Sequence, residues 1–420
     1  MQRKKTITIC GAGIAGVAIA YYLSQKTSEF DIILIDKNQP LSFTTSKSGE
    51  NFRTYWPQQC MKEFVGRSID LMEDLHTQYG EDSFDINFSG YNFISHKKDR
   101  AIFGIQDASA FEGELEIIKD AAAINNKYPF LDKQIQQLVI NQKAGAIDVY
   151  QLGSLLLKEA RLAGTQFFQN EIIGIQKRGE LYKLYLDKGK VIDADKVVIA
   201  TGPFINQVGN MLNIDFPITN VLQRKIIIPD PQQLIPRDMP FTIYMDEQAL
   251  DWSEEERFAF ESDSNYQELL KEFPGALHIK PEGTGIKMGW AFNTQPEEPK
   301  WETSKFDIFP QIILKGVSKF IPSLSAYENN IPTPLVEYAG YYTRTKENLP
   351  LIGPSALPNV LVVGALAGYG TMSACAAGEL CVKYIVEEEL PSYAAYFHPD
   401  RYNNPAIKAA LDRLSNDGQL

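Results

Sequence analysis

The sequence predicts a mixed α/β and α+β architecture, in which an α/β part is interrupted by a region of longer strands. Three observations carry this. A glycine-rich turn joins two short apolar segments at the start of the chain. Residues 218–331 shift to longer strands, an acidic insertion and many prolines. A buried strand, a glycine-containing loop and a helix rich in small residues then return across residues 360–388.

The opening unit is a strand (Thr6-Ile7-Thr8-Ile9-Cys10), the turn Gly11-Ala12-Gly13-Ile14-Ala15-Gly16, an alanine-rich helix over residues 17–25, and a second strand, residues 32–35, ending on Asp36. This is the order a Rossmann-like dinucleotide-binding βαβ unit requires. Gly11 permits the tight turn, Gly13 lets the backbone approach a pyrophosphate, and Gly16 lets helix and strand pack closely. The helix N-terminus offers unpaired N–H groups to phosphate. Asp36 suits a ribose diol and repels a 2′-phosphate, which disfavours NADP.

Residues 37–57 form a long polar loop beside this unit, with Thr44, Thr45 and Ser46 in it. Residues 58–79 carry an apolar stripe of helical period, stopped by Gly80. Residues 84–95 read as two strands around Ser89-Gly90, at the edge of a second sheet. Helical character is expected over residues 111–123. Asp148 opens a helix at 149–163, which Gly164 closes. Short strands follow at 166–168, 172–176, 182–186 and 197–200. The last ends in Ala200-Thr201-Gly202, which brings backbone close to a nucleotide and points to FAD rather than NAD. Strands at 221–228, 241–245, 276–279 and 286–290 and helices at 252–273 and 306–320 make up the region of longer strands. A strand at 335–343, a turn at 345–350, the strand 360–364, a loop at 365–370 and a helix at 373–388 complete the chain.

Bulk properties exclude several classes. The 420 residues are 44% hydrophobic and 22% charged, an ordinary globular composition with length for two domains. Fifty-three acidic against 41 basic residues give a net charge of −12, with no run of five positive charges, so nucleic acid is not an expected partner. The βαβ unit begins too early to leave room for a signal peptide, and glycines interrupt the longest apolar run, so no membrane span is expected. The four cysteines show no C-x-x-C spacing and read as reduced residues of a cytoplasmic protein. The four histidines are scattered, and no metal site is expected.

Taken together, these motifs resemble the D-amino-acid-oxidase-like flavoproteins, within them the sarcosine, dimethylglycine and pipecolate oxidase branch. The likeness spans nearly the whole chain. It rests on the glycine turn with Asp36, Ile147-Asp148, the 194–202 strand, Gly285-Ile286-Lys287-Met288-Gly289, Gly340-Tyr341-Tyr342-Thr343 and Gly364-Ala365-Leu366-Ala367-Gly368-Tyr369-Gly370. It implies a discontinuous FAD-binding domain (residues 1–83, 145–215 and 335–420) interleaved with an antiparallel-sheet substrate domain (84–144 and 216–334). The residues it places on FAD are Gly11, Gly13, Ile14, Ala15, Gly16, Asp36, Lys37, Thr44, Thr45, Ser46, Ile172, Ala200, Thr201, Gly202, Gly340, Gly368, Tyr369, Gly370, Thr371 and Met372.

The implied chemistry is oxidation of a C–N bond in a small amine or amino acid, with oxygen or another acceptor taking the electrons. The resemblance puts Lys287 beside the flavin as an oxygen-activating ammonium, and a lysine turned away would favour a dehydrogenase. Gly340 stands where sarcosine oxidases carry the cysteine that attaches FAD, so FAD is expected to be non-covalent. Two basic residues that hold a substrate carboxylate in relatives fall at Met372 and near Tyr342. Arg53 is the first candidate to replace them, ahead of Arg224, Lys225 and Arg344. Tyr341, Tyr342, Tyr369 and Trp290 are expected to form an aromatic wall. A protein that binds a nucleotide without turnover is the reading from another class.

Overall fold

A computed structural model describes residues 3–26, 28–101 and 114–414. Its first large sheet has six strands in the order Leu351–Pro354, Val360–Gly364, Lys196–Ile199, Lys5–Cys10, Phe30–Asp36 and Gln166–Gln169. All neighbours are parallel except the first pair. A parallel sheet must be covered on both faces. On one face lie helices Ile14–Lys26, Gln59–Tyr79, Val149–Leu162 and Gly370–Val386, packed around Ile7, Ile9 and Leu34. A three-stranded meander, Ile172–Arg178, Leu181–Leu186 and Val191–Ala194, packs against Cys10, Val197 and Ile199 on the other.

The second sheet has eight strands: Val336–Arg344, Thr219–Pro229, Gly285–Trp290, Leu277–Glu282, Phe241–Tyr244, Tyr91–Ser95, Gln137–Asn141 and Leu115–Ile118. Its pairings are antiparallel apart from Phe241–Tyr244 with Tyr91–Ser95. Ile226, Ile228, Ile286 and Met288 pack with Ile312, Ile313 and Val317 of helix Phe309–Ser318. Alternation along the strands therefore turns Lys225, Lys287 and Gly289 to the opposite face.

Several expectations change. The loop after Asp36 contains a 3-10 turn, Thr44–Lys47, and a strand, Asn51–Arg53, which pairs with Ala144–Ile147. The hairpin around Ser89-Gly90 divides. Ile86–Asn87 joins that small sheet, whereas Tyr91–Ser95 lies inside the eight-stranded sheet, fully buried, instead of at an edge. Of the helix expected at 111–123, residues 111–113 lie outside the described residues and Leu115–Ile118 is a strand. The helix begins at Ala121, where Asp120 accepts from Ala122 N–H at 2.9 Å. Strands Gln137–Asn141, Ala144–Ile147, Val191–Ala194 and Leu351–Pro354 gave no separate signal. They are too short to show a period, and three are wholly or mostly buried, which removes alternation. The 252–273 helix shortens to Glu254–Ser262, which opens on a Ser253–Glu256 capping box. Among the described residues no helix is long and apolar enough to cross a membrane, and no group of three or more metal-ligating side chains occurs.

Candidate functional site

The glycine turn sorts its own residues. Gly11 has φ of 102°, and a Cβ there would lie 2.4 Å from the Ala200 carbonyl oxygen. A Cβ on Gly16 would lie 1.9 Å from the Gly11 oxygen, so Gly16 serves packing between helix and turn. A Cβ on Gly13 would meet only Thr45 Oγ1, at 3.5 Å. Its open side faces a cleft of about 260 Å³ between the two large sheets.

That cleft is walled by Gly11, Gly13, Ile14, Ala15, Asp36 and Lys37 from the βαβ unit, and by Thr44 and Thr45 from the loop after it. Ile172, Ala200, Thr201, Gly202, Gly340, Gly368, Gly370 and Thr371 complete the wall. Four of the expected residues, Gly16, Ser46, Tyr369 and Met372, are absent from the wall. Gly16 lies behind the turn, and Ser46 donates to the Ser42 and Phe43 carbonyls at 3.0 and 2.7 Å, which locks its own turn. Tyr369 and Met372 line a second chamber instead.

Polar groups line the cleft. Thr44 Oγ1 and Thr201 Oγ1 are buried with no hydrogen-bond partner among the described residues. Asp36 accepts from Ala12 N–H at 2.8 Å and from Asn38 N–H at 2.9 Å. Burial raises its pKa, those N–H groups oppose the rise, and each oxygen keeps a lone pair for a diol. Phe43 stacks on Trp301 at 4.4 Å and lies 5.1 Å from Phe204, all three on the cleft wall. These aromatics carry no periodic signal, and Trp301 reaches the cleft from a loop more than 250 residues distant in sequence.

The second chamber, about 60 Å³, shares Ser48, Gly49, Lys225, Tyr342 and Gly368 with the cleft. Arg53 lines it, 2% exposed, with its guanidinium 4.4 Å from the Trp56 ring and 5.8 Å from Phe93. Burial draws its pKa down to about 10. Tyr369 meets Trp56 edge-on at 5.2 Å and donates its hydroxyl hydrogen to the Asn348 carbonyl. His278 lies near Ala276 O at 3.1 Å through Nδ1, which makes Nδ1 the donor and leaves Nε2 an acceptor. Burial, and Lys225 beside it, push its pKa down to about 3, so the ring is neutral.

The basic candidates separate clearly. Arg53 and Lys225 reach the chamber. Arg224 instead donates to the Ser304 carbonyl at 2.6 Å and pairs with Glu337 at 3.0 Å, and Arg344 lines neither space. Lys287 also lines neither: its Nζ lies 2.7 Å from Glu282 and 3.3 Å from Glu50. Of the expected aromatic wall, Tyr342 and Tyr369 line the chamber and Tyr341 the cleft. Trp290 belongs to the helix-covered core and donates to the Pro274 carbonyl at 2.9 Å, because its even position on the strand turns it away.

The profile of the family described as "DAO: FAD dependent oxidoreductase" matches residues 6–384. This chain belongs to the DAO family. Mouse mitochondrial dimethylglycine dehydrogenase is 22% identical over 422 residues, 96% of this chain and 44% of that protein. L-saccharopine oxidase of Schizosaccharomyces pombe is 24% identical over 227 residues, 48% of this chain and 52% of that protein. The chain thus spans about half the length of the curated relatives it matches. The L-proline dehydrogenase structure from P. horikoshii superposes with a TM-score of 0.74 at 20% identity, over 96% of this chain and 99% of that one. As in the rest of the DAO family, FAD is the cofactor, and the cleft suits it. Gly13 leaves room for a pyrophosphate, the two threonine hydroxyls lack partners among the described residues, and Asp36 keeps acceptor capacity.

Proposed function

We propose that this chain oxidises the C–N bond of an amino acid bound in the Arg53 chamber, by two electrons, to an imine that water then hydrolyses. FAD, bound non-covalently in the cleft, supplies the electron-accepting chemistry. Gly340 offers no nucleophile to attach it. The observation that carries the reading is Arg53, a buried guanidinium lying 4.4 Å from the Trp56 ring on the wall of a chamber that opens onto the cofactor cleft. Arg presents a planar fork matched to a carboxylate, and an aromatic face fixes its orientation. Tyr342 and Tyr369 flank the space, Tyr369 held by the Asn348 carbonyl. Neutral His278 presents an acceptor on the same wall, suited to an amine N–H. The free, buried cysteines fit a cytoplasmic setting.

Two acceptors divide the reading. The first is oxygen, giving hydrogen peroxide. The second is a quinone or protein carrier, as for a dehydrogenase. One observation favours the second: Lys287 is held by Glu282 and Glu50 and does not reach the cleft. The names of two relatives, dimethylglycine dehydrogenase and L-proline dehydrogenase, lean the same way.

The test is anaerobic bleaching of the purified flavoprotein by amino acids and by matched amines or esters that lack the free carboxylate. Only the carboxylates should bleach it, and Arg53→Ala should raise their half-saturating concentration about 10- to 100-fold, the loss of one charge-assisted hydrogen bond. Equal bleaching by amines without a carboxylate would remove Arg53 from the role. Admitting air, and separately a quinone, to the bleached enzyme then decides the acceptor.

A further inference from the structure

Three ammoniums and two carboxylates meet on the cleft-facing side of the eight-stranded sheet. Lys287 lies 2.7 Å from Glu282 and 3.3 Å from Glu50, and Lys280 lies 3.4 Å from Glu282. Lys225 is the one left over. Among the described residues it has no carboxylate partner, and it donates only to the Lys47 carbonyl, at 3.4 Å. It is 8% exposed, and its ammonium lies 5.9 Å from the Tyr342 ring on the wall shared by cleft and chamber.

The surroundings offer it little relief. Burial, then Lys287 and Lys280, pull its pKa down to about 8. Beside it His278 is neutral, and Gly289 keeps the space between them clear: a Cβ there would lie 2.5 Å from His278 Nε2 and 2.9 Å from Lys225 Cγ. Glu50, the one carboxylate among the described residues on the chamber wall, is paired by Lys287, which offsets part of its charge. A buried ammonium without a counter-ion is unfavourable unless the working complex supplies one.

We infer that Lys225 binds a second carboxylate of the substrate, so that the chamber takes a compact amino acid carrying two acidic groups. The inference rests on the reading above, in which Arg53 holds the first carboxylate. The two cations come from different elements, strand Asn51–Arg53 and strand Thr219–Pro229, on the wall of one chamber of about 60 Å³. A ligand with one carboxylate reaches one of them, and a short diacid reaches both. Such a substrate would be either a dicarboxylic amino acid or a secondary amine with a carboxylate on each arm.

The experiment uses the holoenzyme and pairs of probes that differ in one group. Glutarate and butyrate are titrated as unreactive ligands, followed by the shift in flavin absorbance. Glutamate and norvaline, then N-carboxymethyl- and N-ethyl-glycine, are compared as anaerobic reductants. The wild type should bind glutarate and favour the diacid reductants by about 10- to 100-fold over the matched monoacids. Lys225→Met should erase that preference, and Lys225→Arg should restore part of it. Equal treatment of mono- and diacids by the wild type overturns the inference. So does a Lys225→Met variant that loses both classes alike, or whose flavin spectrum shifts without any change in selectivity, because Lys225 would then serve the first carboxylate or the flavin itself. Diacid-selective binding with no bleaching by any amine would overturn the proposed oxidation and leave the Lys225 assignment standing.

Discussion

At the scale of single residues, the glycine turn shows that one motif serves two ends. Gly16 faces backbone, with the Gly11 oxygen 1.9 Å from where its Cβ would sit, whereas Gly13 faces the open cleft. Gly16→Ala should therefore damage the fold without any ligand, by about 1–3 kcal/mol or more of overpacking. Gly13→Ala should leave the apoprotein melting as wild type and weaken FAD. Denaturant titration of the apoproteins and FAD titration separate the two, and a Gly16→Ala apoprotein as stable as wild type would contradict the assignment. The spacing of the glycines was plain in the sequence, and so was the acid at Asp36. Which lysine reaches the site was not. Lys225 and Lys287 sit on neighbouring antiparallel strands, two registers apart, where Ile227 opposes Lys287 and Lys225 opposes Gly289. Only the sheet register and the carboxylates brought beside them separate a free ammonium from a paired one.

At the scale of elements, the C-terminal segment supports the site from behind. Arg401, 1% exposed, lies 2.9 Å from Glu347 through Nε and donates to the Pro350 carbonyl at 2.7 Å, while Tyr402 donates to Glu347 at 2.9 Å. The next residue, Asn348, provides the carbonyl that accepts from the Tyr369 hydroxyl. Removing one partner from a buried pair strands the other, so Arg401→Met should cost about 3–5 kcal/mol. Chemical denaturation of the variant gives the value, and a loss below about 1 kcal/mol would show that the pair is not holding the segment. Nothing in residues 390–414 announced this role, because an ion pair to a residue 54 positions away leaves no periodic trace. Helices were far more legible. Asp148 accepts from Tyr150 and Gln151 N–H at 2.9 and 2.8 Å, as its place before an apolar stripe implied.

At the scale of the molecule, the six-stranded sheet is assembled from stretches around residues 5–36, 166–199 and 351–364, and all three contribute to the cleft wall. FAD in that cleft touches segments that are remote in sequence, so its binding and the sheet's integrity should be linked. Adding FAD at about 100 times its dissociation constant should stabilise the apoprotein by about 2.7 kcal/mol. Flavin release and loss of secondary structure should then share one midpoint on heating. Flavin lost well below the circular dichroism transition would mean that the cleft opens without the sheet.

Local pattern was sufficient for the nucleotide-binding unit, the helix starts and the mixed architecture, since a tight turn, a cap and an apolar stripe each depend on residues within a few positions of one another. The same holds for a dinucleotide site, which a short run of glycines with an acid at the end of the next strand already implies, whereas FAD over NAD rested on the later Ala200-Thr201-Gly202 strand end. The chamber was decided only by folding. Arg53 faces Trp56 three positions on, yet it lines one chamber with Lys225, His278, Tyr342 and Tyr369 because three sheets converge there. Charge balance is likewise a property of the fold. Lys287 is matched by Glu50, 237 positions away, and Lys225 stays unmatched because burial removes water and no carboxylate of the described chain takes its place.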